Sequence, residues 1–320
     1  MPGLIPAYDL DNIMSSTELP ISGTPLTLET ETVTELTPRQ LLIRRIKGHK
    51  GLIIGFTVII GLIIVGIFAP MFAPHDPYEQ ILSKRLIPPV WSPGGTTEYL
   101  LGTDHLGRDY LSRLIYGTRI SLMIGYGAAT VGLFIGVSMG ICAGYFGGRV
   151  DQLISYILTC QLSLPGLLLT MTLVFFIGPS VYVVIGVIGV LHWTYYLVVS
   201  RSAAMQIRQM DYIAAAKSIG CSKFHIIRKE ILPNLMSQII VIFTLEVGFA
   251  ILAESALSFL GIGIQAPTPS WGLMIAEGKV AMFFQPWLVI IPGAALFVLV
   301  LATNLMGDGI RDVTAPENRN

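Results

Sequence analysis

Three titratable side chains lie within stretches of sequence that are otherwise apolar: His192, Glu246 and Glu254. A carboxylate inside a membrane is costly, and it usually faces the interior of a helix bundle or a water-filled cavity. These side chains can therefore line a solute path, or they can lie near helix ends and bond to neighbouring polar groups. His192 is followed by Trp193. This pair fits a constriction in a pore or an anchor at the membrane interface, and aromatic belts favour the anchor.

A membrane-embedded enzyme could use the same residues, but their spacing argues against one. Glu246 and Glu254 lie about 80° apart around a helix, and with His192 they match no metal-ligand spacing. The chain contains no G-x-x-x-x-G-K-[ST] or H-E-x-x-H motif. The scattered cysteines are too few for a disulfide framework or a zinc site: Cys142, Cys160 and Cys221. We therefore expect neither catalysis nor a bound metal.

Composition predicts a membrane protein. Of 320 residues, 53% are hydrophobic and 12% are charged, whereas soluble domains carry about 25% charged residues. The formal net charge is zero, which argues against a nucleic-acid partner, because such proteins carry a basic excess. The expected fold class is an all-α bundle surrounded by membrane lipid.

Uncharged segments predict the membrane-spanning helices. A span needs about 20 apolar residues, and three segments without Asp, Glu, Lys or Arg each provide one: 51–75, 120–148 and 280–307.

Three further spans bring the predicted total to six. The segment 152–200 is also uncharged but too long for one helix, and Gly-Pro-Ser at 178–180 is a natural breaker. We therefore predict spans near 153–177 and 181–200. Another span, fifth in chain order, lies near 234–258 and contains both glutamates.

The distribution of Lys and Arg predicts the orientation. With the N-terminus inside, 14 of these residues fall in inner segments and 6 in outer segments. The positive-inside rule then places both termini in the cytoplasm.

The N-terminal residues are rich in Thr, Glu and Pro, which predicts a disordered tail. The expected division is a tail at 1–40, a first membrane helix at 41–70, an extracytoplasmic loop with an interfacial helix at 71–118, a five-helix core at 119–310 and a cytoplasmic tail at 311–320.

A basic stretch, "AAAKSIGCSKFHIIRKEILPN" at 214–234, interrupts the apolar sequence between spans four and five. Asp211 is a suitable N-cap for a short helix, and Gly220 stands where a left-handed glycine ends one. Ser222 can cap a second helix that continues through Pro233 into span five. The run Ala214, Ala215 and Ala216 leaves a face with almost no side chain, which predicts a docking helix. An ordinary basic inner loop fits the composition as well.

A second informative stretch, "LLGTDHLGRDYLSRLIYGTRISL" at 100–122, lies outside in this topology. Thr103 or Asp104 can cap a helix, and Asp109 can pair with Arg113 at i,i+4. The apolar face lets this helix lie in the membrane interface before span two. A plain surface helix in an outer loop fits equally.

The stretch 214–234 resembles the "EAA" loop of ATP-binding-cassette importer permeases. That motif begins Glu-Ala-Ala, has a Gly four residues after the second Ala, and ends with I-x-L-P. The matching positions are Ala215, Ala216, Gly220, Leu232 and Pro233. Ala214 stands where the motif has Glu, and Glu230 stands where it has Ile. Asp211, one turn earlier, is a candidate substitute for the missing acid.

Residues 102–113, G-T-D-x-x-G-R-D-x-x-S-R, are similar to the N-terminal signature of the second (C-type) permease subunit of dipeptide/oligopeptide/nickel importers. Three further stretches resemble landmarks of that subunit, and the resemblance covers roughly residues 40–315: AGYFGGRVD at 143–151, LSFLGIGIQAPTPSWG at 257–272 and NLMGDGIRD at 304–312.

The resemblance implies a type I importer permease fold with six transmembrane helices in the inner membrane. It implies a sister permease, two ATP-binding cassette subunits and an extracytoplasmic substrate-binding protein as partners. ATP and Mg are then expected in the ATPase subunits, with no cofactor in this chain. Within the coupling loop 205–233, the residues expected to act on an ATPase cleft are Asp211, Ala214, Ala215, Ala216, Gly220 and Pro233.

The cargo that the resemblance suggests is a di- or oligopeptide. Nickel chelates, opines and glutathione use similar permeases and stay open as alternatives. The candidate pathway residues are His192, Glu246 and Glu254.

Overall fold

The computed structural model describes residues 38–314, which form one compact unit. Residues 1–37 of the predicted tail at 1–40 lie outside the described residues. Residues 315–320 of the predicted tail at 311–320 also lie outside them. In chain order the helices are α1 (Pro38–Gly48), α2 (Lys50–Ile67), α3 (Ala69–Phe72), α4 (Tyr110–Phe146), α5 (Gly148–Leu162), α6 (Gly166–Ile177), α7 (Val181–Leu191), α8 (Thr194–Arg208), α9 (Asp211–Ser218), α10 (Lys223–Ile226), α11 (Leu232–Phe259), α12 (Trp271–Gly278) and α13 (Trp287–Thr314).

Five helical segments are long and apolar enough to cross a membrane: α2, α4, α7 with α8, α10 continuing into α11, and α13. A sixth span results if α5 and α6, which meet at an angle of 85°, are counted together. The predicted all-α membrane fold is confirmed.

The helix breaks in the middle of the chain are more numerous than the sequence predicted. Gly-Pro-Ser at 178–180 separates α6 from α7, as predicted. The third span, expected as one helix near 153–177, is instead broken before Pro165. Proline lacks an N–H group and keeps the preceding residue out of the helical conformation, so α5 cannot continue. A further break at His192 and Trp193 separates α7 from α8.

The helix predicted before span two is not a separate element and begins later than predicted, at Tyr110. Residues 110–118 form the first turns of α4, which has 37 residues and is therefore about 55 Å long. Neither Thr103 nor Asp104 caps it. The N-cap is Asp109, whose carboxylate accepts a hydrogen bond from the N–H of Ser112.

Helix α4 runs between the two ends of the bundle. We call them the α12 end, where Tyr110 of α4 packs edge-on against Trp287 with ring centroids 5.3 Å apart, and the α9 end, where the Lys217 ammonium lies 5.7 Å from the centre of the Tyr145 ring. The length of α4 exceeds the roughly 30 Å of bilayer hydrocarbon. The helix is therefore longer than a membrane crossing requires.

A glycine stripe on α4 brings it against α8. The glycines recur every fourth residue, at 132, 136, 140 and 144, so they share one face of the helix. A β-carbon added at Gly140 would lie 2.7 Å from the carbonyl oxygen of Leu197, and one at Gly144 would lie 2.5 Å from that of Arg201. Only glycine permits this approach, which is the small-residue packing typical of membrane helices.

The N-terminal helices pack on the C-terminal helix. The imidazole of His49 accepts a hydrogen bond from the N–H of Leu52 at 3.0 Å, which caps α2, and its other nitrogen lies 3.1 Å from the Asp312 carboxylate in α13. Gly55 of α2 lies directly against the Ala302 carbonyl. The range 41–70, expected as one membrane helix, thus contains the end of α1, all of α2 and the start of α3.

Candidate functional site

Helix α9, in the EAA-like loop, is anchored to the bundle by one buried side chain. Ile213 is fully buried and belongs to a hydrophobic cluster with Ile226, Ile231 and Tyr196. Eight residues form too short a helix to persist alone in water. The packing of Ile213 is therefore what holds α9 on the α9 end of the bundle.

The ends of α9 are set by its neighbours in sequence. Asp211, predicted as the N-cap, is the first helical residue instead, and Met210 is the cap without a side-chain hydrogen bond. The exposed carboxylate of Asp211 still lies in the first turn, where it complements the helix dipole. At the other end, Gly220 is confirmed as the left-handed residue, with φ of +85°. The N–H of Gly220 donates a hydrogen bond to the Lys217 carbonyl, and the N–H of Cys221 donates one to the Ala216 carbonyl. These two hydrogen bonds form a Schellman motif.

Four large apolar side chains around α9 point into solvent: Met210, Tyr212, Ile219 and Phe224. Ala214 and Ala215 are exposed between them, whereas Ala216 is half-buried against the bundle. We call these six exposed residues the α9 surface. Exposed apolar patches rimmed by polar residues mark protein contacts. The rim here is basic, because Lys217, Lys223, Arg228 and Lys229 are all exposed.

The chain reaches α11 through a continuous but distorted helix. Ser222 caps α10 as predicted, accepting a hydrogen bond from the N–H of His225 at 3.2 Å. Residues 227–231 form a π-helical turn in which the Leu232 N–H bonds to the Ile227 carbonyl. The wider turn comes directly before Pro233, whose ring nitrogen cannot donate a hydrogen bond. The join between the coupling loop and α11 is therefore irregular.

Two of the three candidate pathway residues meet in the structure. The Nδ1 atom of His192 lies 3.0 Å from a carboxylate oxygen of Glu246, although 54 positions separate them. His192 occupies the break between α7 and α8 and lines a cavity of about 410 Å³, whereas Glu246 is almost completely buried behind it. The histidine thus separates the carboxylate from the cavity.

Glu254 lies in a different environment. It is fully buried and accepts hydrogen bonds from the hydroxyl groups of Ser258 at 2.8 Å and Ser270 at 3.0 Å. Ser270 is also the N-cap of α12, accepting from the N–H of Leu273. Glu254 therefore supports the start of α12 by positioning the capping serine.

The motif at 102–113 ends in a buried ion cluster at the α12 end. A carboxylate oxygen of Asp104 lies 2.6 Å from Nε of Arg108, and the Arg108 Nη2 donates to both oxygens of Glu277 at 3.1 Å. Arg113 donates to Glu277 at 2.8 Å. The predicted pair between Asp109 and Arg113 is wrong, because Arg113 turns toward Glu277 and Asp104 instead. Two guanidinium groups and two carboxylates balance in charge, as burial requires.

The other residues of the motif shape the loop that presents this cluster. Gly102 and Gly107 have φ of +78° and +75°. A β-carbon at Gly102 would collide with the Ile87 carbonyl, and one at Gly107 would collide with the Ile81 carbonyl. The Thr103 hydroxyl donates to the Lys84 carbonyl at 2.5 Å and accepts from the Ile87 N–H at 2.9 Å. The signature therefore encodes one tight loop that delivers Arg108 and Arg113 to Glu277.

Glu277 is the residue of this cluster whose role was not predicted from the sequence. The only available signal was a lone acid close after the landmark at 257–272, opposite in charge to the arginines of the motif. The spacing of 164 residues between Glu277 and Arg113 carries no periodicity from which a contact could be predicted.

Two family models match the chain. Residues 132–319 match the inner membrane component of binding-protein-dependent transport systems. Residues 37–89 match the N-terminal transmembrane domain of oligopeptide transport permease C.

Curated relatives match over nearly the full length. The dipeptide transport system permease protein DppC of Haemophilus influenzae is 40% identical over 93% of this chain and 99% of that protein. The di/tripeptide transport system permease protein DppC of Pseudomonas aeruginosa is 39% identical over 85% and 90%. The glutathione transport system permease protein GsiD of Pectobacterium atrosepticum is 34% identical over 87% and 91%.

A solved structure shares the fold. An inward-facing conformation of the MetNI methionine ABC transporter superposes with a TM-score of 0.52 at 18% identity, covering 64% of this chain and 97% of that one. With the matches in sequence, this similarity confirms the type I importer permease architecture. The chain belongs to the inner-membrane permease components of binding-protein-dependent ABC importers, as a C-type permease of the dipeptide and oligopeptide group.

Proposed function

We propose that this chain forms half of a transmembrane pore through which an ATP-driven importer carries di- or oligopeptides into the cytoplasm. A sister permease supplies the other half, two ATPase subunits bind ATP and Mg, and an extracytoplasmic binding protein delivers the peptide. Both termini and α9 lie in the cytoplasm, in agreement with the Lys and Arg distribution.

The observation that carries the proposal is the α9 surface. It combines a short helix held by a single buried anchor, Ile213, with apolar side chains that have no cover in the described structure, Tyr212 and Ile219 among them. An ATPase cleft that receives this surface pushes on α9 when nucleotide closes it. The push reaches α11 through the helix that Ser222 begins, because α10, the π-helical turn and α11 are continuous.

Support for a peptide cargo comes from the relatives. Several relatives at 36 to 40% identity carry names of dipeptide transport permeases, while the glutathione permease is 34% identical. Glutathione is itself a peptide, so the two names indicate one class of substrate.

The missing motif acid constrains how the ATPase binds. Ala214 is exposed, so the position faces the partner without a charge. Asp211 supplies the carboxylate that is nearest in sequence, one turn earlier and also exposed. We assign to Asp211 the electrostatic contact with the ATPase subunit. The apolar residues of the α9 surface supply the remaining contacts.

Reconstitution tests the proposal. The chain, its sister permease, the ATPase subunits and the binding protein are placed in liposomes, and uptake of a labelled dipeptide is measured with ATP inside. We expect uptake that requires both ATP and the binding protein. Uptake that persists without the ATPase subunits would contradict the proposal.

A matched pair of variants tests the coupling role. Ile219→Asp places a charge on the α9 surface, where the native side chain is 80% exposed, so we expect the fold to be retained. We expect it to abolish peptide-stimulated ATP hydrolysis. Leu82→Asp makes the same change at an exposed position near the α12 end and should leave hydrolysis unchanged. Equal hydrolysis by Ile219→Asp and the unaltered protein would refute coupling through α9.

A further inference from the structure

The cavity beside His192 lies where two helix breaks meet. The α5–α6 break contributes Leu162, Leu164 and Gly166, and the α7–α8 break contributes Leu191, His192 and Thr194. The side-chain amide of Gln161 donates a hydrogen bond to the Leu191 carbonyl at 2.5 Å, which ties the two breaks together. Irregular backbone at membrane depth is tolerated where it is buried in protein or lines a water-filled cavity. The two breaks therefore lie where such backbone is tolerated, along the wall of a cavity.

The walls of this cavity are mainly apolar, with one titratable side chain apart from the Tyr195 hydroxyl. Leucines dominate the lining, Thr170 and Thr194 add hydroxyl groups, and no Lys or Arg is among the described lining residues. Its volume of about 410 Å³ falls within the roughly 300–1,000 Å³ typical of small-ligand sites. The volume is therefore of the size expected for a site that holds a small peptide.

The hydrogen bond to Glu246 determines what His192 offers to the cavity. An ionised Glu246 only accepts hydrogen bonds, so Nδ1 of His192 would then donate the hydrogen bond that spans 3.0 Å. In the neutral ring Nε2 is then an acceptor, and it has no hydrogen-bond partner among residues 38–314. With an ionised Glu246 and a neutral ring, the dyad would place one negative charge next to a histidine that lines the cavity.

We propose that the His192–Glu246 dyad is a binding site, within the membrane, for the primary ammonium group of the transported peptide. The ammonium group donates a hydrogen bond to Nε2 of His192. The Glu246 carboxylate does not touch the ammonium group but balances its charge through the imidazole ring. Every unblocked peptide that does not begin with proline carries this group whatever its side chains, so one such site accepts peptides of varied sequence. This inference rests on the proposed peptide transport.

Photolabelling tests the site without any substitution. The assembled transporter, purified without its binding protein, is illuminated with a dipeptide of alanine and photo-leucine or with the analogue in which hydrogen replaces the ammonium group. Mass spectrometry then quantifies labelling of 161–170 and 191–195. We expect the dipeptide to label these segments about tenfold or more above the analogue, since a hydrogen bond to a charged group contributes that much. Equal labelling by the two probes overturns the proposal.

A matched pair of variants identifies the dyad as the cause. Glu246→Gln removes the charge behind His192 while keeping its shape, and we expect labelling by the dipeptide to fall to the level of the analogue. Glu79→Gln makes the same change at an exposed acid and should retain full labelling. Full labelling of an assembled Glu246→Gln transporter also overturns the proposal.

The two proposals fail in different ways. If the unaltered reconstituted transporter takes up no peptide, peptide transport itself is wrong. If uptake occurs but labelling does not depend on the ammonium group, the dyad assignment alone is wrong.

Discussion

The carboxylate of Glu277 lies 2.8 Å from the guanidinium group of Arg113, joining α12 to the first turn of α4 across 164 positions of sequence. The same carboxylate receives two hydrogen bonds from Arg108. Both arginines are fully buried. One acid thus holds the loop that carries the 102–113 motif against the helix that follows the 257–272 landmark.

Removal of this acid should be strongly destabilising. Glu277→Ala leaves two buried guanidinium groups with Asp104 as their only acid, and a broken buried ion pair costs about 3–5 kcal/mol. We expect a much lower denaturation midpoint for the purified protein, followed by tryptophan fluorescence. Glu98→Ala, which breaks the exposed pair with Lys84 at 2.6 Å, should barely shift it because exposed pairs contribute little. Similar shifts for the two variants would show that the cluster does not hold this end together.

The α4–α8 contact gives a second prediction. Gly140→Leu forces a side chain against Ser200 and the Leu197 carbonyl, and overpacking of this kind costs about 1–3 kcal/mol or more. The variant should express poorly or unfold at lower denaturant. Gly61→Leu is the control, because a β-carbon at Gly61 would meet nothing within 4 Å. Loss of stability in both variants alike would point to a general intolerance of leucine.

Glu254 should matter for structure without affecting peptide selection. Glu254→Leu leaves the hydroxyl groups of Ser258 and Ser270 without their acceptor, and unsatisfied buried groups cost about 1–3 kcal/mol each. Hydrogen exchange should show faster opening of α12, whose N-cap is Ser270. The preference for the ammonium probe should be unchanged, because Glu254 does not line the cavity. Loss of that preference would place Glu254 in the pathway after all.

Gly220 allows a prediction that isolates backbone strain. Its φ is +85° and a β-carbon there would meet nothing within 4 Å, so Gly220→Ala introduces no collision. The left-handed conformation itself costs about 1 kcal/mol in a residue with a β-carbon. Amides of α9 should exchange about fivefold faster with solvent, and Gly220→Asn should recover part of the protection because asparagine tolerates this conformation. Unchanged exchange in Gly220→Ala would mean that the C-terminal turn does not limit α9.

Features that depend on nearby residues were predictable from sequence. Gly220 and Ser222 act through the backbone of the next few residues, and Gly-Pro-Ser at 178–180 breaks the helix where it stands. Pro165 is a local signal of the same kind for the break between α5 and α6. The break was not predicted because the uncharged segment around Pro165 is long enough to be one membrane span.

Features that depend on distant residues were not predictable. The pairing of His192 with Glu246 and that of Arg113 with Glu277 are set by helix packing, which no local pattern encodes. The N-cap of α4 is Asp109 and not Thr103 or Asp104 as predicted, because contacts with other residues occupy both of those side chains. Thr103 is occupied by the backbone of residues 84 and 87, and Asp104 by Arg108.

Contact between the α9 surface and an ATPase subunit is the central claim, and photo-cross-linking tests it most directly. A benzoylphenylalanine replaces Tyr212 on the α9 surface or, as the matched control, Tyr182 at the start of α7, which is also exposed. The assembled transporter is illuminated and its covalent products are identified. We predict an adduct with the ATPase subunit from position 212 and none from position 182. Absence of that adduct from position 212 in an assembled, active transporter would contradict the account.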